Sequence, residues 1–489
     1  MSQKRKRSRS SSRARNKSAR LSRVVFLGTS SAQPIPLKRN VSSLVIQTSS
    51  GSLSMVDCGE GTQHQFKLST LKIGKLRNIF ITHLHGDHCY GLFGLLHSIR
   101  NEEQTDFTLN IYGPKGIKQM LRTTLHLSGG LHHYKLNIVE LQLDAERHTV
   151  RTSKKEKMQR TETVDSSQMD VSCNEETDDE EIMLSSDNAE DANHDSEHAS
   201  ANDVELEQGA INPFSTNDVI DLGEIEPGIK CVACRLTHRI ATFGYVFIEE
   251  NQPGKLDAAK ATALGAKGRL LGMLKNGKDV TLEDGTLILS KDVVGEEVVG
   301  NKVGVMQDCS DCRSCFEVAQ QCDLFIHECT YDEEHKEQAV PRGHSTAKMA
   351  ALNAVKVNAK MLMLTHFSSR FVEEGCGHHK ENADENGDGD NGQEKKQEKD
   401  VEIKENENEE AKEAEEDLMH VQRLQKEAEQ EIEKYKSTCL VRCAADFMSV
   451  RFGKNKQMII DKELAITDSK KQHFLHDLPY LKLVANEAK

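Results

Sequence analysis

The sequence predicts an α/β fold, because apolar strand segments alternate with helical segments along the first part of the chain. Val24–Gly28 is an apolar run that ends in a glycine turn, and strands are expected at Ser43–Gln47 and Leu53–Val56. After a histidine-rich loop, Leu92–Ile99 has the pattern of a helix start and Leu109–Tyr112 that of another strand. These observations indicate sheets that are covered by helices.

Charge is unevenly spread over the 489 residues, whose formal net charge is −14. Residues 162–207 contain 17 acidic and no basic residues, and residues 381–434 contain 21 acidic and 8 basic residues. Ten of the Lys and Arg residues lie within the first 23 positions. The remaining body therefore carries a net charge of +6, which suits an anionic substrate.

These shifts in composition predict how the chain is divided. The expected segments are a basic tail (1–23), the two parts of one α/β domain (24–149 and 211–374), two acidic insertions (150–210 and 375–436), and a last strand with a C-terminal tail (437–489). The first insertion is expected to be disordered. From about Val401 the second becomes rich in Glu, Lys and Ala, and its later part is expected to form a long exposed helix, with Leu418, Val421, Leu424 and Ile432 at helical spacing. The last strand is expected near Phe447–Phe452.

The ends and the cysteines suggest a cellular setting. The run Lys4-Arg5-Lys6-Arg7 favours a nuclear import signal, with a solvated tail as the alternative for this segment. A nuclear location is therefore expected, with a cytoplasmic or mitochondrial location as the alternative. Thirteen cysteines, without an apolar signal sequence or a long apolar run, indicate free thiols in a reducing, soluble, intracellular setting. We expect no membrane contact.

The segment Thr82 to His88 (sequence THLHGDH) follows the apolar run Asn78–Ile81 and has the spacing of a metal-binding loop. In extended backbone, residues two apart face the same side, so His83 and His85 can bind one ion. Asp87 and His88, beyond the bend at Gly86, can face a second ion. A histidine-rich surface loop without metal is the simpler alternative.

Two adjacent metal ions need more ligands than one loop provides. Three further candidates follow apolar segments: His238 after Leu236, Asp308 after the run 303–306, and His366 after the run 361–364. Each alone could be an ordinary polar residue at a strand end. Their joint appearance after the histidine loop favours a shared metal site.

The ordered set of motifs resembles the short form of ribonuclease Z, a tRNA 3′ processing endonuclease of the metallo-β-lactamase superfamily. The resemblance runs from about Val24 to Phe452 outside the two insertions. Its markers are FLGT at 26–29, DCGEGTQHQ at 57–65, THLHGDH at 82–88 with YGL at 90–92, YGPKG at 112–116, FGY at 243–245, HE at 327–328, HST at 344–346 and LTH at 364–366. The histidine loop alone marks only the superfamily, whereas the whole set marks the nuclease.

The resemblance implies a four-layer αβ/βα sandwich with a protruding arm and two Zn²⁺ ions per subunit. One zinc would be held by His83, His85 and His238, the other by Asp87, His88 and His366, and Asp308 would bridge them. Asp57 would orient a ligand imidazole.

The implied reaction is hydrolysis of precursor tRNA after the discriminator nucleotide, which leaves a 3′ hydroxyl on the tRNA and a 5′ phosphate on the trailer. Zinc lowers the pKa of bound water for this attack, and Asp87 would accept a proton as general base. His344, polarised by Glu328, resembles the pair that protonates the leaving oxygen. A buried hydrogen bond without a catalytic role stays open as the alternative for this pair.

Substrate binding is expected at the segment 253–280, which resembles the arm that clamps the tRNA elbow, with a solvated helical hairpin as the alternative. It lacks the Pro-Pro-Gly-Pro run of the familiar arm. Family members dimerise, the arm of one subunit serving the site of the other, and we expect a homodimer here. The expected phosphate contacts are Lys255, Lys260, Lys267, Arg269, Lys275 and Lys278 of the arm, and Arg39 of the loop 36–40 is also assigned to substrate binding.

Three details of the sequence depart from this pattern or add to it. Gln307 precedes Asp308 where the family usually has glycine. If this position requires a positive φ, which glutamine adopts less readily than glycine, the bridging carboxylate of Asp308 would be shifted. Lys38 is adjacent to Arg39 instead of two positions before it, which bears on the exclusion of tRNAs that already carry CCA. The triplet Cys309, Cys312 and Cys315 has the spacing of a structural zinc site, as do Cys376, His378 and His379 more weakly.

Two other functions remain as alternatives. One is another hydrolase of the superfamily, a thioesterase or a different nuclease, against which the motif at 344–346 and the basic arm argue. The other is a non-catalytic RNA-binding scaffold with a decayed metal site, against which the full ligand set argues. Metal content separates the enzyme from the scaffold.

Overall fold

A computed structural model of the chain describes residues 18–35, 39–99, 108–128, 135–142, 207–208, 215–216, 218–371, 421–453 and 456–462. Several predictions from sequence fall outside these residues: most of the basic tail with its nuclear signal, nearly all of the first insertion, the second insertion up to residue 420 with its Cys-Gly-His-His motif, the C-terminal tail, and Lys38. They stay predictions.

The strands and helices follow the order that the sequence predicts, with additions. The strands are β1 (Leu21–Gly28), β2 (Ser43–Thr48), β3 (Leu53–Val56), β4 (Leu76–Phe80), β5 (Thr108–Pro114), β6 (Lys135–Leu141), β7 (Glu207–Gln208), β8 (Ser215–Thr216), β9 (Val219–Glu226), β10 (Ile229–Leu236), β11 (Thr242–Glu249), β12 (Val280–Thr281), β13 (Leu287–Ile288), β14 (Lys302–Met306), β15 (Leu324–Glu328), β16 (Met361–Thr365), β17 (Leu440–Cys443), β18 (Met448–Phe452) and β19 (Met458–Lys462). The helices are α1 (Thr62–Leu68), α2 (Gly86–Cys89), α3 (Leu92–Ser98), α4 (Ile117–Leu127), α5 (Ala258–Ala263), α6 (Arg269–Lys275), α7 (Ser290–Val293), α8 (Lys336–Ala339), α9 (Ala347–Lys356) and α10, whose described part is 421–434.

Two mixed sheets form the body. The first has the order β19-β18-β1-β2-β3-β4-β5-β6-β7 and the second the order β17-β16-β15-β14-β11-β10-β9-β8. Strands β3 to β6 are parallel neighbours in the first sheet, and β14 to β17 are parallel neighbours in the second. Parallel neighbours bring their carboxyl ends to the same sheet edge, where sites in α/β folds are commonly built.

Each sheet carries helices on its outer face. Phe66 of α1, Leu95 of α3 and Leu121 of α4 are fully buried in the apolar cluster of the first sheet. Ala350 of α9 and Leu424 of α10 are fully buried in the cluster of the second sheet. Burial on both faces explains why the strands are apolar runs rather than strictly alternating ones. The layers are those of the αβ/βα sandwich, and the expected fold class is confirmed.

Aromatic side chains join the two sheets on their inner faces. Phe80 of β4 meets Tyr245 and Phe247 of β11 at ring-centroid distances of 5.2 and 5.1 Å. The buried Tyr245 hydroxyl donates to the Ile81 carbonyl at 2.7 Å, and the Phe243 N–H donates to the Thr82 carbonyl at 2.9 Å. The second sheet therefore fixes the backbone from which the histidine loop starts.

Three features of the fold differ from what the sequence predicts. β1 begins at Leu21, inside the segment that was assigned to the tail, because Leu21 is buried and pairs with Thr48 of β2. β19 follows β18 and was not expected. The expectation of an exposed helix is wrong for 421–434, because Val421 and Ile432 are only 2% and 4% exposed. The apolar residues at helical spacing form a face that packs into the apolar cluster of the second sheet.

The arm segment is longer than the predicted 253–280. It comprises α5, α6, the β12–β13 hairpin and α7, and it has its own apolar cluster, which includes Ala261, Leu274, Val280 and Ile288. The predicted end at 280 falls inside the hairpin because short strands give almost no periodic signal. The six basic residues that were expected to contact phosphates are all exposed.

No helix in the described part of the chain combines the length and the apolar character that a membrane span requires. The cysteines in that part are unpaired thiols, and most are buried.

Candidate metal centre

The candidate ligands lie at the carboxyl ends of strands from both sheets. The loop after β4 carries His83, His85, Asp87 and His88. Residue 238 lies two positions beyond β10 and residue 308 two beyond β14, while residue 366 directly follows β16. Because the inner faces of the two sheets pack together, these loops meet at one edge of the sandwich.

The first ligand group contains three imidazoles. His83 Nε2 lies 2.9 Å from His85 Nδ1, and His238 Nε2 lies 3.3 Å from the same Nδ1 atom. Asp308 Oδ2 is 3.5 Å from His83 Nε2 and 3.7 Å from His238 Nε2. The four side chains surround one point with their ligand atoms mutually close.

The second group lies on the other side of the same carboxylate. His88 Nε2 and His366 Nε2 are 3.2 Å apart. Asp87 Oδ2 is 3.4 and 3.5 Å from these two nitrogens, and Asp308 Oδ1 is 3.2 and 3.0 Å from them. Each oxygen of Asp308 therefore faces a different group.

Hydrogen bonds behind the rings set their orientation. His88 Nδ1 donates to Asp57 Oδ2 at 2.7 Å, and His238 Nδ1 donates to the Gly343 carbonyl at 2.8 Å. The Thr330 hydroxyl bonds Glu328 at 2.6 Å and lies 2.9 Å from His366 Nδ1. In His88, His238 and His366 the Nδ1 atom is used outwards, so Nε2 is the atom that faces the centre, whereas His85 faces it with Nδ1.

Two residues of the site have a strained backbone conformation. Asp57 and His366 have φ values of 58° and 62°, in the left-handed region that non-glycine residues rarely adopt. Asp57 is held there because it accepts from the Thr82 N–H at 2.8 Å and from the Thr82 hydroxyl. Such strain is typical of functional sites.

The donor set fits bound cations. His88 Nε2 and His366 Nε2 lie 3.2 Å apart, and Asp308 Oδ1 is buried without a hydrogen-bond partner in the described structure, so a cation between these atoms would satisfy all three. Tetrahedral zinc with Zn–N bonds of 2.0–2.1 Å would separate two ligand nitrogens by about 3.3 Å. The imidazole and carboxylate ligands are also those that zinc accepts.

The charge balance of the centre also favours cations. Burial alone would lower the pKa of His88, but the carboxylates of Asp308, Asp87 and Asp57 outweigh burial and raise that pKa well above its usual range. Burial likewise opposes ionisation of Asp87, yet the His88 and His366 imidazoles hold the Asp87 pKa well below its usual range. The same field would attract a metal ion.

A histidine–glutamate pair lies beside Asp308. His344 Nδ1 is 3.0 Å from Glu328 Oε1 and 3.9 Å from Asp308 Oδ2. Burial by itself would lower the pKa of His344, but the buried Glu328 carboxylate outweighs it and raises that pKa to about 9. The backbone N–H groups of Cys309 and Thr330 donate to Glu328 at 2.9 and 3.0 Å and fix its position. The imidazole is therefore protonated at neutral pH.

The structure places Arg39 differently from the expectation. It is 3% exposed, its Nη1 donates to the Thr29 hydroxyl at 2.8 Å and to the Ala444 carbonyl at 2.9 Å, and its guanidinium lies over the Phe367 ring. A guanidinium used in this way is not available to substrate. The assignment of Arg39 to substrate binding is therefore corrected, because sequence cannot separate a buried arginine from an exposed one.

Two other details are resolved. Gln307 is not among the described non-glycine residues with positive φ, so its presence before Asp308 requires no displacement of the carboxylate. Cys309 and Cys312 are buried, with their Sγ atoms 3.8 and 3.7 Å from His327 Nε2. Within the described residues, the ligand groups that could hold a metal all belong to the centre above and include no cysteine.

Sequence reasoning missed three residues of the site. Thr330 connects Glu328 to His366, and its only signal was its place two residues after Glu328. Arg239 and Tyr90 line the cavity of about 440 Å³ at the mouth of the centre. Arg239 directly follows the candidate ligand His238, and Tyr90 lies two residues after the candidate ligand His88. This closeness in sequence was the signal that could have identified them.

The chain is similar to several known proteins. Residues 22–204, less than half of the chain, match the family described as "Anti-Pycsar protein Apyc1". "Zinc phosphodiesterase ELAC protein 1" of Bos taurus is 37% identical over 360 residues, covering 71% of this chain and 86% of the relative. "Ribonuclease Z" of Brevibacillus brevis is 34% identical over 356 residues, covering 72% and 86%.

Two further comparisons complete the set. "Ribonuclease BN" of Cronobacter sakazakii is 33% identical over 356 residues and covers 72% of this chain and 91% of the relative. The crystal structure of human tRNase Z, short form (ELAC1), is 27% identical, covers 71% of this chain and 93% of that chain, and gives a TM-score of 0.46. Since several relatives exceed 30% identity over most of their own length, the chain belongs to the ribonuclease Z and ELAC1 family of zinc phosphodiesterases.

Proposed function

We propose that this protein is a zinc-dependent endoribonuclease that removes 3′ trailers from precursor tRNA. The observation that carries the proposal is the pair of ligand groups that share Asp308, with the His344–Glu328 pair 3.9 Å from that carboxylate. Membership in a family of phosphodiesterases and a basic arm support the same substrate class.

The proposal assigns two zinc ions to the centre. One would be held by His83, His85 and His238, the other by Asp87, His88 and His366, with Asp308 between them. Zinc bound there supplies a lowered pKa for water and charge neutralisation at the phosphoryl oxygens.

The chain's own residues supply proton transfer. Water attacks the phosphorus in line with the leaving 3′ oxygen, so that a phosphorus–oxygen bond forms as the bond to the 3′ oxygen breaks. The ionised Asp87, which also accepts the Ala32 N–H at 2.7 Å, is available to take the proton of the water. Protonated His344 donates to the 3′ oxygen, and Glu328 keeps it protonated before each turnover.

Substrate binding extends beyond the centre. The exposed lysines and Arg269 of the arm would contact tRNA phosphates, and the homodimer expected from the family would place the arm of one subunit at the site of the other. Arg239, an exposed cation in the cavity wall beside His344, suits contact with a phosphate close to the cut. Sedimentation equilibrium of the full chain tests the dimer.

The test uses purified full-length chain and a precursor tRNA with a 3′ trailer. We expect two equivalents of zinc per chain and cleavage after the discriminator nucleotide, giving a 3′ hydroxyl and a 5′ phosphate. Asp87→Ala should abolish cleavage, while Glu433→Ala, which removes an exposed carboxylate of α10 outside the arm segment, should not.

Each alternative predicts a different result. A thioesterase would hydrolyse acyl thioesters and leave the precursor intact. A scaffold would bind RNA without zinc and without cutting. Failure of the zinc-loaded parent to cut the precursor would refute the tRNA assignment.

A further inference from the structure

Tyr90 is an exposed tyrosine at the mouth of the candidate metal centre. It lies two residues after His88 and is 63% exposed. Its ring lies against the backbone of Gly86, since a Cβ atom added there would come within 2.5 Å of Tyr90 Cε2. Glycine at 86 thus makes room for a ring that is supported on one side and open to solvent on the other.

The ring forms part of the wall of the catalytic cavity. This cavity has a volume of about 440 Å³ and is also lined by Pro34, Arg239, Asp308 and His344. Its size falls within the range of about 300–1,000 Å³ that is typical of sites for small ligands. A group held against Tyr90 therefore shares one cavity with the carboxylate and imidazole to which we assign the chemistry.

A solvent-exposed aromatic ring beside a site that cuts RNA is suited to stacking against a nucleobase. Single-stranded RNA ends are commonly held by stacking of unpaired bases on aromatic side chains, which tolerates any base. The described structure shows no hydrogen bond from the Tyr90 hydroxyl group, so the ring rather than the hydroxyl is the feature that the fold presents. The trailer junction of a precursor tRNA is single-stranded at this position.

We propose that Tyr90 is the stacking platform for the base of a nucleotide directly flanking the scissile phosphodiester. This inference rests on the proposed function and adds to it a residue that positions the single-stranded junction. It also explains why a histidine loop that needs only ligands carries a large exposed ring at its end.

The experiment is a double-mutant cycle between the protein and the RNA. Parent, Tyr90→Ala and Tyr90→Phe are compared on intact precursor tRNA and on precursors with an abasic site at either nucleotide flanking the cut. Since stacking is worth about 1–3 kcal/mol per base, Tyr90→Ala should lower kcat/KM about 5- to 150-fold. Tyr90→Phe should stay within about twofold of the parent because it keeps the ring.

Coupling decides the outcome. At one of the two positions the abasic substrate should cost the parent a similar factor and cost Tyr90→Ala nothing further. Losses that multiply at both positions, or a Tyr90→Ala variant as active as the parent, would overturn the proposal. Tyr435→Ala, a 49% exposed tyrosine just beyond α10, is the matched control and should match the parent.

The two proposals fail in different ways. If the parent cuts the intact precursor but shows no coupling, only the stacking role is lost. If the parent does not cut it at all, the proposed function is lost. Zinc content and circular dichroism of each variant are measured alongside, since a loss caused by disturbance of the loop would persist on the abasic substrates and thereby count against stacking.

Discussion

Replacing Glu328 by Gln should remove the charge that keeps His344 protonated. With Glu328 present, the pKa of His344 is raised from 6.5 to about 9. Without that carboxylate, burial favours the neutral imidazole and only the Asp308 carboxylate still opposes it, so we expect the pKa of His344 to fall back towards its ordinary value. At pH 7.5 the protonated fraction would drop from nearly all to about one tenth, and the rate should fall about tenfold or more.

The sign of the pH dependence follows from the role as proton donor. The protonated form is present below the pKa, so the parent should keep its rate up to about pH 9 and lose it as the pH rises through that value. The Glu328→Gln variant should lose its rate as the pH rises through about 6.5. The assay is kcat for precursor tRNA between pH 5.5 and 10, with Glu433→Gln, an exposed residue of α10, as the control.

A second substrate separates acid catalysis from a structural effect. Bis(p-nitrophenyl) phosphate has a leaving group that needs no proton, so Glu328→Gln should retain most of its activity on it. Equal losses on both substrates, or an unmoved alkaline limb with precursor tRNA, would refute the role assigned to the pair. Thermal unfolding and zinc content show whether the lost hydrogen bonds to Cys309 and Thr330 matter instead.

Two further predictions test residues that support the centre. Asp57→Asn should weaken zinc binding about 10- to 100-fold, because asparagine has one acceptor oxygen whereas Asp57 accepts from both the Thr82 N–H and His88 Nδ1. Competition with a chelator measures this, and Asp284→Asn should not change it. Arg39→Gln should lower the free energy of unfolding in urea by about 2 kcal/mol while KM for precursor tRNA stays constant, because Arg39 bonds Thr29 inside the fold. A higher KM without loss of stability would instead restore the substrate role.

Much of the fold is visible in local patterns. The apolar runs at β2 and β3 and the start of α3 were predicted almost to the residue, because buried strands and helix starts have strong local signals. The β12–β13 hairpin was missed because two-residue strands leave no period. The buried face of 421–434 was taken for an exposed one because amphipathic spacing is the same whether or not a partner covers it.

The site divides in a similar way. The spacing of His83, His85 and His88 carries its own geometry, since a few residues of backbone fix where the rings point. Arg39 and Thr330 carry no such signal, because their partners Ala444 and His366 lie far away in the sequence. Arg39 and Arg239 show this difference, because Arg39 is buried in the fold whereas Arg239 is exposed in the cavity wall.

The sequence alone determined the kind of chemistry, because the histidine loop and its ordered companion motifs specify ligands whatever the distances between them. Only the tertiary structure decided that Asp308 presents one oxygen to each ligand group, that Arg39 is buried, and that Tyr90 is open to the cavity. Such facts depend on contacts between residues far apart in the chain. Local propensity cannot encode them, whereas the packing of one sheet against the other does.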